Sequence, residues 1–371
     1  MRVASTATAR CVAVAQVHEL SSPAQSSGHV VLLSEDLESA WDSFVESHGE
    51  ATLFHTTAWR KAVAEAFGHE PVYLVALCGD RVVGILPMFV VWSRIAGRML
   101  VSVPYGVGGG AVADDDEVVA ALFQRAKDIG AARECWTLEL RSERARIPSL
   151  PTVARYVVFR RALPTAPSDV LGWLPRKARA AARNARDKFG LTVEFGDEGL
   201  TEAWRLYSIS MRRLASLNYP LRFFEKLLEH TPGRHWVSLV RREGRVVAGL
   251  VTFLFKDRVM PYFVGTTADA RTYHAANFIY LTAMERGVER GYREFDFGRT
   301  RRENTGSYNF KRYHGFEPHP LGYQRCTLRE HRAVDLYPSN PRLQLARRLW
   351  THLPLAITRV VGAGLAKHIP G

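Results

Sequence analysis

The sequence predicts an α/β protein made of two similar domains in tandem, each a mixed sheet flanked by helices. Three observations carry this. The chain repeats one element order, strand-strand-strand-helix-strand, and a unit of that kind repeated at this length implies the same α/β domain built twice. Its 371 residues exceed what one hydrophobic core usually serves. Its composition, 47% hydrophobic and 23% charged, is that of a globular chain.

The elements follow in order. Residues 1–28 read as a disordered extension: two arginines precede a weakly apolar stretch at 11–17, which is at the bottom of the signal-peptide range. The first domain, residues 29–164, holds the first copy. Extended runs at 72–78 and 82–92 flank the turn Gly79-Asp80-Arg81, then come a strand at 99–104, a helix at 117–129 and a closing strand at 136–140. Prolines at 148–151 and 164–167 bracket an extra strand at 153–161 and place the boundary near residue 165. The second domain, 165–335, opens with a basic helical stretch at 169–189, ended by Gly190. Its copy of the repeat runs 236–241, turn 242–245, 246–255, 259–265, helix 275–290 and strand 294–297. The tail, 336–371, mixes basic and apolar positions at helical spacing. From Pro341 onward it has no acidic residue, so it either packs on the second domain or lies on an anionic membrane.

A formal charge of +13, from 50 Lys+Arg against 37 Asp+Glu, points to an anionic partner without saying which. Cys11, Cys78, Cys135 and Cys326 are far apart with no C-x-x-C spacing, so neither disulfides nor a metal site is expected. No apolar run approaches the ~18 residues of a membrane span, the longest being 82–92, which Pro87 interrupts. The expected location is the cytoplasm, with the tail able to reach the inner face of the membrane. Gly106-Val107-Gly108-Gly109-Gly110 follows a strand but fails the G-x-G-x-x-G spacing and opens no helix, which argues against a dinucleotide fold. His55 beside Trp59 reads as a packed histidine rather than a catalytic one.

Site chemistry concentrates between Glu294 and Pro318. Phe295 and Phe297 share one face of a strand and Glu294 and Asp296 the other, with Gly298 ending it. Beyond it Arg299, Arg301, Arg302, Lys311 and Arg312 surround Thr305-Gly306-Ser307, where backbone N–H groups can approach a phosphate or an oxyanion. Asp296 at a strand end can position an attacking amine or hydroxyl or accept its proton; the alternative is an ion pair to Arg299 or Arg301. Arg299 can hold a phosphate or carboxylate in bidentate fashion, or bridge to Asp296.

The motif Asp296-Phe297-Gly298-Arg299-Thr300, then Gly306-Ser307-Tyr308, Phe310-Lys311 and Gly315-Phe316-Glu317-Pro318, resembles the FemAB-like proteins associated with the PEP-CTERM/exosortase system, a Fem-like branch of the GNAT acyltransferases. Phe54-His55-Thr56-Thr57-Ala58-Trp59, Ala66-Phe67-Gly68-His69 and Leu174-Pro175-Arg176-Lys177-Ala178-Arg179 carry the same resemblance, which covers roughly residues 50 to 350. It implies tandem GNAT-like domains and direct acyl transfer, without a covalent enzyme intermediate, to an amine or hydroxyl of a cell-envelope or exopolysaccharide-related glycan or peptide. It further implies that Lys311 neutralises charge on the reacting acyl group. A phenol, Tyr308 or Tyr313, would protonate the leaving group unless it is simply a core aromatic. The basic helix with Arg179 and Arg183 would border the substrate cleft, the alternative being a solvated face.

No tightly bound cofactor is expected. The co-substrate is an acyl-CoA or an aminoacyl-tRNA. Neither repeat has the [QR]-x-x-G-x-[GA] pyrophosphate turn, residues 265–280 reading GTTADARTYHAANFIY, and no long coiled-coil insertion of the tRNA-using kind is present. The partner would be an anionic small molecule or a lipid-linked glycan, with nucleic acid expected only as a tRNA donor. The competing class is a non-catalytic module of the same fold that recognises an anionic glycan precursor or nucleic acid.

Overall fold

The computed structural model describes residues 29–94, 96–330 and 341–369, so the extension expected over 1–28 lies outside the described residues. In the first half, β1 (His29–Leu32) precedes α1 (Glu38–Ser47) and α2 (Thr57–Phe67). The Thr56 hydroxyl caps α2 by accepting from the Trp59 amide, and Gly68, with φ of +71°, ends it. β2 (Glu70–Cys78) and β3 (Arg81–Ser93) form the expected hairpin, followed by β4 (Gly97–Ser102), β5 (Val112–Ala113), α3 (Asp116–Ala132) and β6 (Thr137–Ser142).

The second half has β7 (Tyr156–Ala162), α4 (Val170–Trp173), α5 (Arg176–Asp187), β8 (Thr192–Phe195), α6 (Leu200–Arg213), α7 (Leu221–His230), β9 (His235–Arg242), β10 (Arg245–Phe255), β11 (Arg258–Thr266), α8 (Ala275–Glu289) and β12 (Glu294–Arg301). It closes with α9 (Thr305–Tyr313), β13 (Glu317–Pro320), β14 (Gly322–Thr327), α10 (Pro341–His352) and α11 (Leu355–Ala366).

Both copies of the repeat fold as read, but strand pairing does not follow chain order. The first sheet runs β1-β2-β3-β4-β6-β14, with β5 on β3, and the second runs β13-β7-β12-β11-β10-β9-β8. The extra strand expected at the end of the first domain, β7, therefore pairs antiparallel with β12 in the second sheet, while β14 returns to pair with β6 in the first. A boundary at residue 165 cuts the sequence but not the sheets.

Alternation along the strands divides the core in three. One cluster covers the outer face of the first sheet with α3, through Leu74, Leu86, Val119 and Leu122. Another covers the outer face of the second sheet with α4, α5 and α8, through Phe159, Ala182, Ile279, Phe295 and Phe297. The third is common to both domains. It joins Trp41, Phe54 and Trp59 of the first half to Tyr207, Phe223, Phe253 and Phe263 of the second.

Two expectations change in detail. The helix read over 169–189 breaks at Leu174 and Pro175, because proline lacks the N–H and disfavours helix for the residue before it. The strand expected to end at Gly298 continues to Arg301 through a bulge, where the pairing with β7 skips between Asp296 and Arg299 and Gly298 takes φ of +68°. Among the described residues no helix is long and apolar enough to cross a membrane.

Candidate active site

Among the described residues each sheet contains one parallel junction that forks, and the two forks end differently. In the first, β4 and β6 pair through Met99–Thr137, Leu100–Leu138 and Val101–Glu139, then part. The wholly buried loop of residues 103–111 fills the gap. There the Gly109 amide donates to the Arg141 carbonyl at 2.9 Å. A Cβ on Gly110 would lie 1.9 Å from the Ser142 Oγ, so the glycine run serves close packing, in line with the rejection of a dinucleotide site. His55 pins the loop, with its Nε2 3.0 Å from the Gly110 carbonyl and its Nδ1 accepting from the Thr52 amide. Burial lowers its pKa to about 4, so the ring is neutral and structural, as read.

In the second sheet β11 and β12 pair only through Arg258–Glu294 and Val259–Phe295. Beyond that point β12 turns to follow β7, and β11 bulges, its register with β10 skipping Tyr262. This fork opens on a small cavity between the domains, of about 10 Å³ and lined by Thr52, Phe54 and Val107 from one half and by Arg160, Tyr262, Asp296 and Gly298 from the other. That is room for about one water. Arg160 and Arg258 also line a neighbouring cavity of about 230 Å³, together with His55, Gly108, Glu143 and Arg144.

Asp296 sits at the mouth of the fork and is only 3% exposed. Its Oδ2 accepts from Arg160 Nε at 2.7 Å and its Oδ1 from the Gly298 amide at 2.7 Å. The rest of the Arg160 guanidinium is held by Glu143, at 2.8 Å for one of the two bonds. Burial pushes the Glu143 carboxyl up, but Arg160 more than offsets this and holds it below its ordinary value. Arg258 pairs with Glu294 at 2.7 Å in the same wall. The partner of Asp296 is thus Arg160 on β7, and neither Arg299 nor Arg301.

Lys311 reaches the same bulge from the opposite face of the sheet. Its Nζ donates to the carbonyls of Phe297 (2.6 Å), Gly298 (3.0 Å) and Arg299 (3.4 Å), and it lies 5.4 Å from the Phe159 ring centre. Burial lowers its pKa to about 7, opposed by the charge of Asp296. In its protonated form Lys311 gives all three protons to carbonyl acceptors, so in this arrangement it shapes the bulge rather than facing the cavity.

The remaining expected residues are spread out. Tyr308 packs edge-on against Phe159, at 5.3 Å, on the helix side of the sheet and away from Asp296. Arg299 lies over the rings of Tyr156 (4.7 Å) and Tyr323 (5.8 Å), with its guanidinium 3.4 Å from the Tyr323 hydroxyl, so it faces the shared core as a stacked cation. Arg301 ends β12 opposite Tyr156. Gly306 is exposed, and the Ser307 amide is taken by the Asn304 side chain that caps α9, which weakens an anion cradle there. Arg179 and Arg183 lie on α5, whose Ala178, Ala182 and Ala185 pack with α8 on the far side of the second sheet. Arg179 donates to the Gly172 carbonyl and Arg183 is exposed, so this helix borders the surface, not the Asp296 cavity.

Sequence reasoning missed Arg160, Glu143, Arg258 and Tyr262. The one local signal was Arg160 at the end of the apolar run Tyr156-Val157-Val158-Phe159, a charge on a strand otherwise built for burial.

Two mixed sheets flanked by helices, each with a parallel pair that forks, form a tandem GNAT-type fold. Residues 174–312 match the family described as an acetyltransferase (GNAT) domain, and the chain is an acyltransferase; acyl-CoA is the co-substrate class of such domains. The structure is similar to that of FemX, with a TM-score of 0.63 and 14% identity over 86% of this chain and 100% of that one. It is also similar to a tandem GNAT protein from the clavulanic acid biosynthesis pathway, with a TM-score of 0.53 and 10% identity over 82% and 99%. A third similarity is to the C-terminal domain of a protein described as a lysylphosphatidylglycerol synthetase from Agrobacterium fabrum, with a TM-score of 0.50 and 14% identity over 80% and 92%. At these identities the likeness is one of fold. No curated protein matches the chain in sequence.

Proposed function

We propose that the chain is a Fem-like N-acyltransferase that works at the β11–β12 fork, moving an acyl or aminoacyl group from a thioester or ester donor to an amine of a glycan or peptide acceptor. The observation that carries this reading is the position of Asp296, buried at the point where the two parallel strands part and shared through Arg160 by both domains. Each oxygen of Asp296 accepts one hydrogen bond already, and a carboxylate has lone pairs for more, so it can take the N–H of an incoming amine and aim its nitrogen. That nitrogen attacks the donor carbonyl carbon, the new C–N bond forms as the C–S or C–O bond breaks, and the amine proton passes by way of the carboxylate or water to the leaving group. The Tyr262 amide, out of register in β11, is the group we assign to the carbonyl oxygen as charge develops on it.

Lys311 keeps the bulge in shape behind this site, which assigns it positioning rather than direct contact. An envelope or exopolysaccharide-related acceptor rests on the sequence resemblance alone. The test is release of free thiol from acyl-CoAs in the presence of amino sugars and amine-bearing peptides, with Asp296→Asn as the variant, since asparagine can still accept from the Gly298 amide. The expected result is a fall in kcat of roughly 10²- to 10⁴-fold with donor affinity kept. Unchanged turnover in Asp296→Asn would remove the residue from the chemistry, and donor binding without turnover on any amine would favour the binding-module reading.

A further inference from the structure

The two terminal helices present a face that neither the fold nor the transfer site uses. They are anchored on α6: Arg212 donates to the Leu353 carbonyl at 3.2 Å, and Arg347 reaches the Leu214 and Ala215 carbonyls at 3.3 and 3.4 Å. Thr358, Gly362 and Ala366 form the buried side of α11, with Gly362 against Asn218. Away from that side Leu345, Leu349, Ile357, Val360 and Val361 stand in solvent, Val360 at 75% exposure. Beyond the end of α11, His368 is 2.9 Å from the Trp92 carbonyl and its ring packs edge-on to the indole, so Trp92, 52% exposed, lies at the same margin. Arg94, Arg98 and Lys367 share the pocket beside it.

We propose that α10, α11 and the Trp92 margin seat this protein on the surface of an anionic phospholipid bilayer. Each helix has 12 residues, or about 18 Å, too short to span a hydrocarbon core of ~30 Å but suited to lying in its boundary. The charge pattern selects the occupant. Residues 341–371 carry five lysines and arginines and no aspartate or glutamate, so two copies of this face would repel, whereas lipid phosphates complement it. An exposed tryptophan beside cations suits the headgroup level, where its ring is half in apolar surroundings and half wet.

The test is flotation of the full chain with vesicles of phosphatidylcholine alone and of phosphatidylcholine with phosphatidylglycerol. Partitioning is expected on the anionic vesicles only, weakening as salt rises. The double variant Leu349→Glu/Val360→Glu should lower it by about 100-fold with little change in Tm, since most of each residue is exposed. Arg348→Gln/Lys367→Gln should bind more weakly and with less salt dependence. Failure of the wild-type chain to float with anionic vesicles at low salt overturns the proposal. So does a glutamate variant that floats as well as wild type, or a wild-type dimer broken by those substitutions with no vesicle binding, which would make the face a contact between copies.

Discussion

Asp296 and Lys311 hold one backbone irregularity from opposite faces of a strand. The carboxylate takes the Gly298 N–H and the lysine takes the Gly298 carbonyl, and φ of +68° at that residue is a conformation glycine adopts without a Cβ penalty. The lysine carries a measurable signature. Its pKa is about 7 when folded and an ordinary 10.5 when exposed, so between these values the unfolded chain binds a proton that the folded one has released. Unfolding then takes up a proton, and stability rises with pH through that window. The contribution is complete above 10.5 and is lost as pH falls through about 7. Denaturant titrations at a series of pH values should show this rise in the native chain and a much shallower one in Lys311→Met. An equal rise in both would place the titrating group elsewhere.

The forks are the elements that separate the two domains by role. Both arise from a parallel pair whose strands must part to meet other neighbours, yet the loop of residues 103–111 fills the first and leaves the second open. Filling requires close approach: an added Cβ at Gly110 would come within 2.9 Å of the Ser142 Cα as well as its side chain, so β6 or the loop must shift. Gly110→Ala is expected to destabilise the protein by about 1–3 kcal/mol, read as a lowered Tm. Because Gly108 and Val107 of this loop also line the cavities around Arg160, turnover should fall as well. A stable, fully active Gly110→Ala would show that the loop yields without cost and has no part in shaping the site.

At the scale of the molecule, exchanged strands and a common cluster couple the halves. β7 completes the second sheet, β14 completes the first, and Trp59 of α2 packs edge-on to Phe223 of α7 at 5.8 Å within the shared core. Neither half can expose that core alone without exposing large aromatics to water. Calorimetry is therefore expected to give one cooperative transition whose calorimetric and van't Hoff enthalpies agree. Two resolved transitions would contradict the coupling.

Periodicity and turn chemistry are local properties, so the sequence by itself determined the two ββ-β-α-β units, their hairpin turns at Gly79-Asp80 and Glu243-Gly244, and the opposed faces of Phe295 and Asp296. It also picked out the segment that forms the bulge, because Gly298, Asp296 and Lys311 lie within sixteen residues of one another. Only the tertiary structure decided which charges meet. Arg160 lies 136 positions from Asp296, and their pairing depends on β7 crossing into the second sheet, a choice of strand order that no local pattern encodes. For the same reason Tyr308, Arg179 and Arg183, close to the motif or alike in charge, end on the far side of the sheet. A strand's two faces are separated by its whole thickness, and which face meets the partner domain is settled by packing of the full chain.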